Sequence, residues 1–477
     1  MICRFRGLRT CTVCAMLVLG GIVHSLPAQP LPLPPSPIRL KVHPATSPKP
    51  ALKYKLLPEL AEKTPGNAAL LYMRAFSPEW YSHKRQAGYP GFLDLTEAPL
   101  ATFPKKDLNW LLNYGPLKQL DKAARKETCD WEMTSRVKEE GIMMLVPEVQ
   151  GFRELAALIA LRTRLLMADG KLDQAVDSLQ TGFSLARDVG QSPSLINYLV
   201  GAAIGQIMIR QLEDLLQQPN CPNFYWALGY LPNPLVDFRK AFEGERMSLF
   251  TTIPELRTIE SEPLTPEREE KLMDQLCGLA RLSGEQNGRE ECRIILTVLA
   301  LKIYPEAKKA LIEGGRKAEE VEAMPVLQVV SIHSMRQFLE HQDDVFKWLS
   351  LPIPEAKAGL EQSEKRLRAA VARKDTLPLF SLIPGMAKVY DAHCRLARRL
   401  AALRCLEAIR MHAKENKGKP PAKLEDITLV PAPMDPVTGK SFEYFVKDQM
   451  IVLKAPPPAQ ESANQSNSFT YEMTIDS

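Results

Sequence analysis

The chain has 477 residues, 45% of them hydrophobic and 25% charged, which suffices for one large core or two to three smaller ones and excludes wholesale disorder. The net charge is +5, and three arginines lie within the first nine residues. Without residues 1–28, 58 basic side chains face 56 acidic ones, a net charge of +2. That balance, with no long basic stripe, leaves no electrostatic footprint for nucleic acid.

Arg4, Arg6 and Arg9 precede a short apolar run, Ala15 to Val23. The run is too short for a bilayer span of ~20 residues, so residues 1–28 are expected to be a secretory signal. Cleavage is expected after Val23-His24-Ser25 or Leu26-Pro27-Ala28, with export to the periplasm or the exterior. Contact with a membrane would come only through an uncleaved signal. Residues 29–50 are dense in proline and are expected to form an extended linker.

Residues 51–417 carry helical periodicity and are expected to form an α-helical domain. An aromatic stretch, Glu79-Trp80-Tyr81 with His83, offers ligand contacts or plain packing. Phe152 to Val189 predicts two antiparallel helices turning at Asp169-Gly170. Ser194 to Leu216 predicts another helix, whose Gly201, Ala202, Ala203 and Gly205 suit close helix packing. Tyr225 and Trp226 fall in a short proline-bounded helix, and a longer helix follows Pro234. Further helices are expected over Pro266 to Arg281, Arg289 to Tyr304, Pro325 to Leu349, Pro354 to Ala372 and Ile383 to Asn416. Pro325 and Pro354 suit the first helical turn, where no amide donor is needed. Residues 418–477 change character. "SFEYFVK" and "MIVLKA" predict a hairpin, and the alternating "SFTYEMTI" predicts a third strand. The expected fold is therefore mainly α: a helical bundle or a TPR-like/α-solenoid array, with a small C-terminal antiparallel β element.

Of nine cysteines, six follow the signal. None of those six forms a CxxC, so zinc-ribbon and thioredoxin spacings are absent after the expected signal. Cys277 and Cys292 flank the loop Ser283 to Gly288 almost symmetrically, so a helical hairpin would bring them together as a disulfide or as two buried thiols. Gly439-Lys440-Ser441 ends like a phosphate-binding P-loop, but Met434 stands where the first glycine is required, and a strand follows in place of a helix. Asp435-Pro436 and Gly439 suit a turn instead, with Lys440 solvated. His333 and His341 are eight residues apart, about 12 Å along a helix, too far for a metal pair. HExxH and GxSxG are absent. No nucleotide, metal or other cofactor is expected.

"LLMADGKLDQAVDSLQTGFSLARDVGQSP" resembles one tetratricopeptide hairpin, with Gly170 in the turn and Ala175 as a packing residue. No second copy follows at the 34-residue period of such arrays. The segment from Ala401 to Val446 is similar to the globular part of type II secretion pseudopilins at Pro421, Leu424, Asp435, Pro436, Gly439 and Tyr444. Many helices precede it here, so fibre assembly is not implied. With "QQPNCPNFYWALGYLPNPLVDFRKAFEGER" and "DPVTGKSFEY", the chain also resembles uncharacterised secreted helical proteins of the planctomycete type, which implies export and architecture but no activity. These readings lead to a non-catalytic exported protein acting through an unidentified protein partner. The alternative is an enzyme with a groove between helices near Tyr225, Trp226, Asp237 and Arg239.

Overall fold

The computed structural model describes residues 36–76, 92–140, 148–282, 288–373, 375–458, 461–464 and 467–476. The expected signal segment, the Glu79–His83 cluster and most of the loop after Cys277 lie outside these residues. The helices that build the two cores and the sites below are, in chain order, α1 Ala68–Arg74, α2 Gly115–Ala124, α3 Glu148–Ala168, α4 Leu172–Gly190, α5 Leu195–Leu216, α6 Tyr225–Gly229, α7 Arg239–Thr252, α8 Pro266–Leu282, α9 Arg289–Glu313, α10 Val326–Phe346, α11 Ile353–Arg373 and α12 Met386–Glu415. The strands are β1 Ile38–Val42, β2 Thr64–Asn67, β3 Lys126–Thr128, β4 Glu443–Lys447, β5 Met450–Ala455 and β6 Phe469–Ile475. The fold is mainly α with a small antiparallel element at the C-terminal end.

Two compact units divide the chain, and they interleave along it. One comprises residues 31–133, 146–241 and 390–477, and the other is built mainly from residues 242–389. A reading of residues 51–417 as one continuous helical domain does not anticipate this, because periodicity is local and reports nothing about which helices share a core.

In the first unit, α3 and α4 form the expected hairpin. Gly170 takes φ +70° in the turn, and its amide bonds to the Met167 carbonyl at 2.9 Å. Helix α5 packs on both. Its small residues explain how closely. A Cβ on Gly201 would lie 2.5 Å from the Ala186 carbonyl oxygen and 2.6 Å from Gly190 Cα, so two backbones touch where α4 crosses α5.

The β element is a four-stranded sheet in the order β1-β6-β5-β4. The three C-terminal strands are antiparallel, with Leu453 level with both Tyr444 and Tyr471. Strand β1 adds in parallel to β6, Leu40 opposite Met473 and Val42 opposite Ile475. This strand lies inside the stretch expected to be a proline-rich linker. Its sequence, "IRLKV", alternates, and Leu40 and Val42 are buried while Arg39 pairs with Glu472 at 3.0 Å. The flanking prolines obscure that alternation, and its partner lies more than 430 residues downstream.

In the second unit, α9 packs against α8 and α10. The helix was expected to stop at Tyr304 because Pro305 follows. It continues to Glu313 with Pro305 inside it. Pro305 is exposed, so the carbonyl that loses its helical donor lies on the solvent side.

The two kinds of helical glycine make a test. Gly201→Ala is expected to lower stability by about 2 kcal/mol, because backbone cannot yield to the new Cβ. Gly278→Ala in α8 meets nothing within 4 Å and should raise stability by roughly 0.5–1 kcal/mol. Urea unfolding of both variants measures the contrast, and equal effects would contradict it.

Candidate functional site

Three places bear on function, all in the unit containing α3 to α5. The first is the turn that ends in Gly439-Lys440-Ser441. Gly439 takes φ +68°, its amide bonds back to the Asp435 carbonyl at 2.8 Å, and the Asp435 amide donates to the Lys440 carbonyl at 2.8 Å. Met434 and Ser441 bridge, which closes the corner that leads into β4. Lys440 is exposed. Asp435 is fully buried, and its carboxylate also accepts from the Val437 amide at 2.9 Å and the Thr438 hydroxyl at 3.1 Å.

Asp435 is held by Arg398 of α12. Nε donates to Oδ1 at 2.8 Å and Nη2 to Oδ2 at 2.5 Å, a bidentate pair with both side chains buried. The same guanidinium donates to the Asn467 carbonyl at 2.5 Å and the Pro456 carbonyl at 2.6 Å. One arginine thus binds the corner before β4, the end of β5 and the approach to β6. The neighbouring Arg399 pairs with Glu213 of α5, whose carboxylate also accepts from the Tyr471 hydroxyl. Nothing in the sequence of α12 distinguishes these arginines from its half-buried Arg395 and Arg404.

The second place holds the predicted groove residues, and the structure separates them into two pairs with different partners. Tyr225 is fully buried. Its hydroxyl donates to the Pro431 carbonyl at 2.7 Å and accepts from Arg404 at 2.9 Å, while the guanidinium lies over its ring at 4.5 Å. Trp226 meets Tyr225 edge-on at 5.1 Å and stays partly exposed. These contacts seal a helix junction. Asp237 instead accepts from the amide of Arg239 at 3.0 Å and pairs with its guanidinium at 2.6 Å, at the start of α7.

Beside Asp237 lies a cluster that the sequence reading missed, because its members come from separate helices. The Phe238 ring packs edge-on against His393 at 4.6 Å and Tyr198 at 5.9 Å, and Tyr390 lies 5.7 Å from His393. The hydroxyls of Tyr198 and Tyr390 are buried and, among the described residues, have no hydrogen-bond partner. Burial pushes His393 down to about 4, against the pull of Asp237. Burial also raises the tyrosines. Asp237 is raised by burial, but the hydrogen bonds and charge of Arg239 prevail and hold it below the usual carboxylate range. His393, Asp237 and the two tyrosines are therefore all moved away from neutral pH, the reverse of what proton transfer requires.

The third place is a cleft of about 390 Å³ lined by His43, Cys221, Lys414, Lys417 and Asp476 together with Pro44, Pro219, Asn220 and Gly418. Beneath it, buried Arg410 binds Glu407 at 2.8 Å and the carbonyls of His43 and Cys221 at 2.8 and 2.9 Å. Burial pushes the Cys221 thiol up to about 12, which suppresses the thiolate a nucleophile needs.

In the other unit, Cys277 and Cys292 are both buried and face each other across the α8–α9 hairpin, their sulfurs in hydrogen-bond contact. Burial, and then the hydrogen bond between the two thiols, pushes Cys277 up to about 12. His333 is buried with Nε2 unpartnered, and His341 contacts the Gln337 carbonyl at 3.0 Å. Among the described residues, no group of three His, Cys, Asp or Glu side chains could hold a metal ion.

Comparison with protein-family models, with curated proteins and with solved structures gave no match.

Two variants probe these sites. Arg398→Met should destabilise the protein by about 3–5 kcal/mol, since it strands a buried carboxylate, and denaturant titration measures this. A loss below about 1 kcal/mol would refute the latch. His393 gives a pH test. The unfolded histidine binds a proton below ~6.5 and the folded one only below about 4, so between those values the unfolded state holds more protons. Stability contributed by neutral His393 is complete above pH ~6.5 and falls, by at most about 3 kcal/mol, as pH drops to 4. The stability difference between the native protein and His393→Gln should shrink across that window, and a difference independent of pH would contradict it.

Proposed function

We propose that the chain is an exported, non-catalytic α-helical protein acting as a protein–protein interaction or structural module. The observation that carries this reading is the outer face of α9. Ile294, Ile295, Val298 and Leu301 recur at helical spacing and are 63%, 45%, 62% and 58% exposed. A cluster of aliphatic side chains left in solvent on one helix face suits burial against another surface. The TPR-like character of the α3–α4 hairpin agrees with an interaction role. The aromatic–histidine cluster, with its groups displaced from neutral pH, does not favour chemistry there. The enzyme alternative draws no support from Tyr225, whose hydroxyl and ring are both engaged in a junction.

Export rests on the sequence of residues 1–28, which lie outside the described structure. A nucleotide, a metal or nucleic acid has no part in this reading. Native pull-down from periplasmic and extracellular fractions should recover a protein in stoichiometric amount, and Ile294→Glu should abolish the capture. Repeated failure to recover any protein, or capture unaffected by the substitution, would overturn the proposal.

A further inference from the structure

Helix α9 is apolar on two faces. Cys292, Leu296, Ala300, Ile303, Ala307 and Leu311 are buried, toward α8 and α10. The opposite stripe, Ile294, Ile295, Val298 and Leu301, is in solvent. Charge along the exposed side is mixed, with Lys302 inside the stripe, Arg289 and Arg293 at its start and Glu306 and Glu313 at its end. Glu290 and Glu291 precede the stripe, and Lys308 and Lys309 follow it. Lys309 pairs with the exposed i,i+4 partner Glu313 at 3.7 Å, a contact of small energy that can be exchanged. Lys308 pairs with Glu322 at 2.7 Å.

This arrangement is complementary to itself when reversed. A two-fold axis crossing α9 between Leu299 and Ala300 places Val298 level with Leu301 of a second helix, and Ile294 level with Pro305. The same axis places Glu290 level with Lys309, about 14 Å from the axis at ~1.5 Å per residue. Both ends then match opposite charges across one apolar centre, as an isologous contact requires. A parallel pairing would set Glu290 against Glu290 and Lys309 against Lys309. The antiparallel arrangement also sets Arg293 level with Glu306, so charge favours it over the parallel one.

We infer that the exposed face of α9 is a self-association surface on which a second copy of this chain docks antiparallel. This names the partner for the interaction role proposed above and rests on that reading. One helix laid against its copy buries less than the ~1,600 Å² of a standard interface, so the dimer should dissociate in the micromolar range.

Sedimentation equilibrium of the purified protein over about 1 to 100 µM reads the association directly. The native chain should show a monomer–dimer equilibrium. Val298→Glu should be monomeric throughout, with an unchanged circular dichroism spectrum, because position 298 lies in solvent in the folded monomer. Glu290→Lys and Lys309→Glu should each weaken the dimer about tenfold or more, and the double substitution should restore it. The restoration separates a specific antiparallel pairing from a merely sticky helix. A native chain that stays monomeric, a Val298→Glu variant that still dimerises, or a double variant that fails to recover would each overturn the inference. Binding of a monomeric native chain to lipid vesicles, lost in Val298→Glu, would assign the face to a membrane and overturn it equally. Capture of a different protein by a monomeric chain would overturn the dimer while leaving the proposed interaction role standing.

Discussion

The β element is organised around one buried guanidinium. Arg398 donates to both oxygens of Asp435 and to the carbonyls of Pro456 and Asn467. A buried ion pair of this kind adds little net stability over a well-packed apolar substitute, because both groups have lost their water. Its effect is positional. Four acceptors from three segments converge on one planar fork, and each would be left unpaired if its segment shifted. The corner at Asp435, the end of β5 and the approach to β6 are tied to α12 for that reason. Arg399 does the same one residue on, joining α12 to Glu213 of α5 and through it to Tyr471 of β6.

This constraint occupies backbone amides around the glycine-lysine-serine ending. In a P-loop, backbone amides are left open to wrap phosphate. Here the Asp435 side chain occupies the Val437 amide, and the Gly439 amide is spent on the Asp435 carbonyl. Chemistry-bearing residues elsewhere follow a similar rule. Tyr225 is clamped by Arg404 and Pro431, and the thiols of Cys221 and Cys277 are held protonated by burial. The polar groups of these sites serve packing, whereas a stripe of apolar residues on α9 faces water. That inversion is what gives the functional reading its direction.

Much of the fold was legible. Helical periodicity marked α3, α4 and α5 within a few residues, and Gly201 declared close packing because only a residue without a side chain lets two helix backbones touch. The hairpin of β4 and β5 and the return of β6 followed from short alternating runs. Pro305 misled, since a proline ends a helix only when its lost hydrogen bond cannot be replaced, and on the solvent side water replaces it. Strand β1 was hidden among prolines. Of the site, the role of Asp435 as a turn former was legible, but its buried partner was not. Arg398 sits among Arg395, Arg399 and Arg404 on the same helix, and only burial tells them apart.

By itself, the amino-acid sequence determined the local features: where helices and strands form, where turns bend, and that Met434 stands where a P-loop requires its first glycine. Those properties depend on side-chain periodicity and backbone sterics over a few neighbours. Tertiary structure alone decided which charges are buried together, that His393 meets Phe238 and Asp237, that β1 pairs with a strand at the far end of the chain, and that Ile294, Val298 and Leu301 remain uncovered. These are relations between segments tens to hundreds of residues apart, and no local pattern encodes them. A helix apolar on both faces announces two contacts, but only the folded chain shows which one it satisfies itself.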